Sequence, residues 1–201
     1  MEDIVVKTQI LTALVAGVLM VGLISCGTTP SKPGKEDDVM GQFPDWMTPC
    51  TVEDGLAACS CAQLVGAEIG IAKSQAVAQA RAELASLLKV KVTRMVKNYQ
   101  RKVTTAQGAS LGGTFEDVTK QITSEMLVGT MVRQQDMAKI AGQNQMCVQV
   151  VQLNKQAFEQ VANLAKERGA QIDPTSEAAL YEEFRAAKAQ DELDKELDKL
   201  R

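Results

Sequence analysis

Ala76-Val77-Ala78-Gln79-Ala80-Arg81-Ala82-Glu83-Leu84-Ala85-Ser86-Leu87-Leu88-Lys89-Val90-Lys91-Val92-Thr93 joins two periodicities, and where one gives way to the other sets the class of the chain. From Gln75 to Lys89, Val77, Ala80, Leu84 and Leu87 or Leu88 recur at helical spacing, while Gln79, Arg81, Glu83 and Ser86 fall elsewhere. Ser74 stands where an N-cap is expected. From Val90 the pattern alternates, β-formers accumulate, and a long strand to Val103 is predicted. The glycine-rich run Gln107 to Thr114 predicts the turn that closes it.

Working outward, residues 56 to 71 predict a first strand ending in a turn at Gly66 and Gly70. Thr114 and Asp117 predict a capping box, opening a short helix with Phe115, Val118, Ile122 and Met126 on one face and ending before Gly129. Strands are predicted from Val128 to about Met137 and from Met146 to Leu153, paired as a hairpin about Ala141-Gly142-Gln143-Asn144. Asn154 is placed to cap a helix bearing Phe158, Val161 and Leu164, closed by Gly169 at C′. Asp173-Pro174 begins the last helix, with proline at its tolerated first position.

That last helix is dense in charge. Asp191 and Glu192 with Lys195, and Glu196 with Lys199, lie at supportive spacings. Leu180, Phe184, Leu193, Leu197 and Leu200 do not hold one heptad register, so a solvated helix is expected over a coiled coil. The elements together predict an α+β fold: a small, mostly antiparallel sheet with helices on one face, a lipidated flexible tether before it and a charged C-terminal helix after it.

The densest apolar block lies at the front, Ile10 to Ile24, and ends in Leu23-Ile24-Ser25-Cys26-Gly27. Its length suits a signal h-region and falls short of the roughly 20 apolar residues that a membrane span needs. The ending reads as a lipobox: cleavage before Cys26, a diacylglyceryl group on its thiol, and an N-acyl chain such as palmitate on the freed amine. Two or three chains anchor firmly where one binds only marginally. Glu2 and Asp3 are unusual at the front of a signal, and initiation at Val6 would restore a regular one. Gly27 is not the aspartate that commonly retains lipoproteins at an inner membrane, so the outer membrane is favoured in a two-membrane host, with the domain outside the cytoplasm.

The expected organisation is a signal peptide over 1–25, a tether over 26–42 rich in Gly, Thr, Pro, Ser, Lys and Asp, a domain over 43–170 and a helix over 171–201. Trp46, the only tryptophan, follows the stiff Pro44 closely and is read as a packing anchor in preference to a ligand-stacking residue. With Cys26 assigned to lipid, Cys50, Cys59, Cys61 and Cys147 remain, an even number suited to disulfides. Cys59 and Cys61 would share one face of a strand. The favoured pairing is one local bridge from Cys50 to Cys59 or Cys61 and one long bridge to Cys147. Without histidine or a C-x-x-C pair, no metal centre is expected.

Phe43-Pro44-Asp45-Trp46 after the tether, the glycine-ended Leu64-Val65-Gly66-Ala67-Glu68-Ile69-Gly70, the helix Ala76 to Ala85 and Val90-Lys91-Val92 follow in an order that resembles the Lpp-twenty family of small bacterial lipoproteins, over roughly residues 43 to 160. Two departures are the cysteine-bearing stretch Cys50 to Cys61 and the final charged helix. The resemblance implies an outer-membrane lipoprotein with an α+β domain and no catalytic residues to transfer. Some similar proteins are surface antigens, and others join flagellar or envelope assemblies.

The residues point the same way. With no histidine, acid–base work would fall on Asp, Glu, Lys or Tyr; Ser60 and Ser110 lie in no Gly-x-Ser-x-Gly elbow, and there is no phosphate-binding Gly-x-x-x-x-Gly-Lys. No enzyme is expected, and no cofactor beyond the covalent lipid. The net charge is −3, of which Glu2, Asp3 and Lys7 contribute −1; no nucleic-acid partner is implied. Lys89, Lys91, Arg94, Lys97, Arg101 and Lys102 stand in a stretch free of acidic residues. They would either touch anionic headgroups or, as is commoner, line a solvent face or blunt a sheet edge. Two roles remain: a structural or interaction lipoprotein that self-associates or docks envelope proteins, and a binding module for an envelope lipid, glycan or peptide. Scarce aromatics, 3% of the chain, favour the first, because they leave little to line a pocket.

Overall fold

In the computed structural model Ile69–Lys102 is one unbroken helix, α1, of 34 residues and about 50 Å. The structure describes residues 42–199, without the side chains of 107 and 188–199. The signal segment, Cys26 and the tether up to residue 41 lie outside the described residues, as do Leu200 and the side chains of Leu193, Leu197 and the charged pairs near them.

The strand predicted from Val90 to Val103 is therefore helix, and one pair of valines explains why. A strand would put Val90 and Val92 on one face, yet Val90 is 48% exposed and Val92 fully buried. Val92 continues a buried series with Ala72, Ala76, Ala80, Leu84, Leu88 and Val96, spaced by four. Each step of four overshoots a 3.6-residue turn by about 40°, so the buried stripe winds around α1. Its alanine-rich start lies on the sheet, where Ser60 Oγ donates to Gln79 Oε1 at 2.7 Å. Its later part meets the other helices. Tertiary burial overrides the weak β preference of the valines there. Ser74 is not the cap, since α1 begins before it and Ser74 Oγ donates to Gly70 O. The first strand correspondingly stops at Gln63.

The predicted glycine turn is likewise helix: α2 spans Ala106–Gln121, and its N-cap is Thr105, whose Oγ1 accepts from Gly108 N. Thr114 lies mid-helix, donating to Ser110 O, and Asp117 pairs with Lys120, so the predicted capping box does not form. The glycines serve close approach. A Cβ on Gly108 would stand 2.7 Å from the backbone Val103 O, so Gly108 lets α2 fold back on the end of α1, while Gly112 leaves room for the Gln100 amide. Phe115, Val118 and Ile122 form the buried face as expected, whereas Met126 falls beyond the helix end.

Strands β1 (Gly55–Gln63), β2 (Met131–Ile140) and β3 (Gln143–Leu153) form an antiparallel sheet in the order β1-β3-β2. β2 and β3 are the predicted hairpin. Ala141 and Gly142, with φ of 49° and 78°, make the two-residue type I′ loop whose twist suits one. The remaining helices are α3, Asn154–Glu167, and α4, Pro174–Lys199. Asn154 does not cap α3. Its buried Nδ2 donates to Asp54 Oδ1, and its N–H to Asp54 O, which fixes the start of α3 against the approach to β1. α3 ends as predicted: Gly169, at φ 88°, donates to Lys166 O and Ala170 N donates to Ala165 O, the paired bonds of a Schellman cap. Asp173 caps α4 through Oδ1, which accepts from the N–H of Thr175 and of Ser176.

Among the described residues the fold is α+β, four helices and a three-stranded sheet, as predicted. One sheet face supplies Leu56, Ala58, Ala62, Met146, Val148 and Val150 to the core beneath the helices. α4 is not merely solvated: Leu180 and Phe184 are buried, and Phe158 of α3 meets Tyr181 and Phe184 at ring distances of 5.2 and 5.8 Å. Each such large apolar side chain contributes roughly 1.5–3 kcal/mol by leaving water. Residues 42–54 cover the other face, where Val52 is buried and Gln149 Nε2 donates to Thr51 O. No described helix is long and apolar enough to cross a membrane.

Candidate functional site

Period-2 alternation puts Cys59 and Cys61 on the face of β1 away from the helices, and both are bridged there. Cys50 joins Cys59, and Cys61 joins Cys147, the residue directly opposite it on β3, with Cα atoms 4.0 Å apart. This is the favoured pattern of one local and one long bridge, now with each partner fixed. Met47 Sδ lies 3.4 Å from Cys61 Sγ, a packing contact and not a hydrogen bond, because a bridged sulfur carries no proton. The Cys50–Cys59 bridge thereby clamps the segment before β1 onto the sheet, and Cys61–Cys147 staples β1 to β3.

That segment contains a 3-10 turn, Asp45–Met47, which brings Trp46 to Asp136 near the middle of β2. Trp46 Nε1 donates to Asp136 Oδ2 at 2.9 Å, and the N–H of Ala141 donates to Gln42 Oε1 at 2.7 Å. Trp46 is half-buried, so it is an anchor as expected, but it also walls an open groove of about 410 Å³ with Phe43, Asp45, Asp136 and Ala138. Two aromatic rings and two carboxylates suit an apolar or amphipathic side chain, above all one with a positive end. Sequence reasoning missed this groove, because Trp46 and Asp136 are 90 residues apart and no spacing in the sequence links them.

β2 forms one wall of that groove and, among the described residues, is the open side of the sheet. Met131, Val132 and Met137 are all exposed, and only Ile140 is buried. Arg133 is an extra residue in the ladder, since Val132 faces Val150 and Gln134 faces Gln149. A polar clamp fixes the entry to β2: Gln152 Nε2 donates to Val128 O, Gln160 Oε1 accepts from Val128 N, and Arg81 Nη2 donates to Leu127 O.

The six cations lie on α1 and not on a strand or sheet edge. They do not share one outward face. Lys91 is buried with Nζ 4.8 Å from the centre of the Phe184 ring, and Lys102 pairs with Glu183 of α4. Lys89 and Arg94 are half-buried, leaving Lys97 and Arg101 as the two well-exposed charges besides Lys102. Among the described residues no group of cysteines, aspartates or glutamates is arranged to hold a metal ion. No family model matches the chain, and no curated protein or solved structure is significantly similar to it.

Proposed function

We propose that the chain is a non-catalytic bacterial envelope lipoprotein, acylated on Cys26 and related to the Lpp-twenty family, whose domain serves assembly outside the cytoplasm. Its anchor would lie in the outer membrane of a two-membrane host, and a flagellar or outer-membrane assembly is the setting the resemblance implies. The observation that carries the proposal is the use of the five cysteines. Four are consumed in two bridges, which suits maturation in an oxidising compartment, and Cys26, at the lipobox, has no cysteine left in the chain to pair with. The open strand β2 supports assembly, because an uncovered sheet edge offers main-chain pairing to another chain.

Metabolic labelling with an alkyne palmitate analogue tests the anchor. The wild-type protein should take up label and partition with membranes, and Cys26→Ala should do neither; an unlabelled wild type, or a labelled Cys26→Ala, overturns it. A second reading, a binding module for an envelope lipid, glycan or peptide, is favoured by the groove between Trp46 and Asp136. Light scattering on the detergent-solubilised protein separates the two. A strict monomer that retains a co-purified small molecule supports the binder, and a concentration-dependent oligomer supports assembly.

A further inference from the structure

We propose that a second copy of this chain adds its β2 antiparallel to β2, around a two-fold axis at Gln135, so that two three-stranded sheets become one of six strands. The inference deepens the assembly reading by naming the partner, and rests on that reading for the expectation that the chain assembles.

The register with β3 fixes which side of the sheet each residue of β2 faces. Val132, Gln135, Met137 and Lys139 oppose Val150, Val148, Met146 and Asn144, and so share the helix side. Met131, Gln134, Asp136 and Ala138 oppose Val151, Gln149, Cys147 and Gln145, on the disulfide side. A two-fold axis normal to a sheet keeps each side with itself, so residues that meet across it must come from the same side. The axis must therefore pass through a residue, and only a few registers exist.

These registers differ sharply in chemistry. With the axis at Gln135, Val132 meets Met137 of the second copy, Met131 meets Ala138 and Gln134 meets Asp136. The exposed apolar residues of the strand are then used in both halves of the contact. With the axis at Asp136, that carboxylate faces its own copy and Val132 meets Lys139. With the axis at Gln134, Met131 meets Asp136. With the axis at Met137, neither Met131 nor Val132 has an apolar partner.

Charge and shape select the same register. Arg133, the bulged residue, falls opposite the interval between Asp136 and Met137 of the second copy, which puts a guanidinium beside the carboxylate already held by Trp46. Met131, facing Ala138 on the disulfide side, stands at the mouth of the groove lined by Ala138, Trp46 and Phe43. The acidic, aromatic groove of one copy thus receives a thioether and a cation from the other. The strand has no proline to block such pairing, and its bulge, a device that elsewhere blunts an edge, here aims the arginine.

The test uses the full-length lipoprotein in detergent micelles, with the two native bridges verified by peptide mapping. Gln135→Cys should give a disulfide-linked dimer on mild oxidation, at least tenfold more than Lys139→Cys, whose two copies would lie roughly 25 Å apart along the strands. Val132→Lys should raise the dimer dissociation constant at least a hundredfold, and so should Met137→Glu. Combining them should restore the dimer, because lysine then meets glutamate twice. An oligomer that is indifferent to Val132→Lys, and in which Gln135→Cys cross-links no better than Lys139→Cys, overturns this interface and leaves the assembly reading standing. A wild type that stays monomeric at 100-fold the concentration used for cross-linking overturns both.

Discussion

On either side of β3 lies a strand of nine or ten residues antiparallel to it, and the two have little else in common. β1 buries Leu56, Ala58 and Ala62 under the helices and carries on its other face two cysteines, each bridged to a different part of the chain. β2 buries Ile140 alone, and holds to the rest of the molecule by the ladder, the Trp46–Asp136 bond and the polar clamp at its start. Equal backbone pairing therefore does not make equal strands. What differs is the cover on the two faces, and β1 has both a helix and a covalent staple where β2 has neither over most of its length.

The largest effect is expected where that staple is removed. Replacing Cys61 and Cys147 together by alanine opens a loop of sequence separation 86, and loop entropy predicts a loss of roughly 4–5 kcal/mol in urea unfolding. Removing Cys50 and Cys59, separated by 9, should cost roughly 2–3 kcal/mol and also quicken amide exchange at Ala141, whose N–H is held by the segment this bridge secures. Were the short bridge to matter more than the long one, the ordering of β1 over β2 would need another cause.

Smaller effects sharpen the contrast at single side chains. Leu56→Ala in β1 should cost about 2–3 kcal/mol, and Val132→Ala in β2 should stay within about 0.5 kcal/mol, both by urea unfolding at low protein concentration. Comparable losses at the two would mean that β2 is covered. The smallest effect concerns acid. The Asp173 carboxyl is held below its ordinary value, first by the Ser176 backbone N–H and then by the Ser176 hydroxyl. A carboxyl depressed on folding contributes its full stability above the unfolded value and loses it as pH falls through the folded one, here below about pH 4. Asp173→Asn keeps the acceptor and should flatten that acid limb, read from urea midpoints against pH, with no change in exchange along β2.

The sequence displayed features set by local chemistry better than those set by tertiary placement. The hairpin, the Gly169 and Asp173 helix ends and the pattern of one local and one long bridge were legible because each rests on local chemistry: a two-residue loop, a positive φ, a carboxylate beside an N-terminus, an even cysteine count with two cysteines on one strand face. The run from Val90 to Val103 was misread because β-branched residues alternate there by coincidence, while the spacing of four that continues through Leu88, Val92 and Val96 is the signal that governs burial. The glycines at 108 and 112 were misread because a residue that permits a turn also permits two helices to touch. The groove and the open edge could not be read at all, since they depend on which strand ends outermost and on a tryptophan reaching across 90 residues.

The two bridges also define a load path. A pull on the N-terminal side of the domain reaches Cys50, passes through sulfur to Cys59 on β1, and two residues later passes again through sulfur from Cys61 to Cys147 at the middle of the sheet. Between residue 42 and Cys50 only non-covalent contacts can be peeled away, among them Gln42 from Ala141 and Trp46 from Asp136. Tension arriving from that end would strip the wall of the groove and then stop at a covalent bond, so the domain would lose a docking feature under force long before it lost its fold.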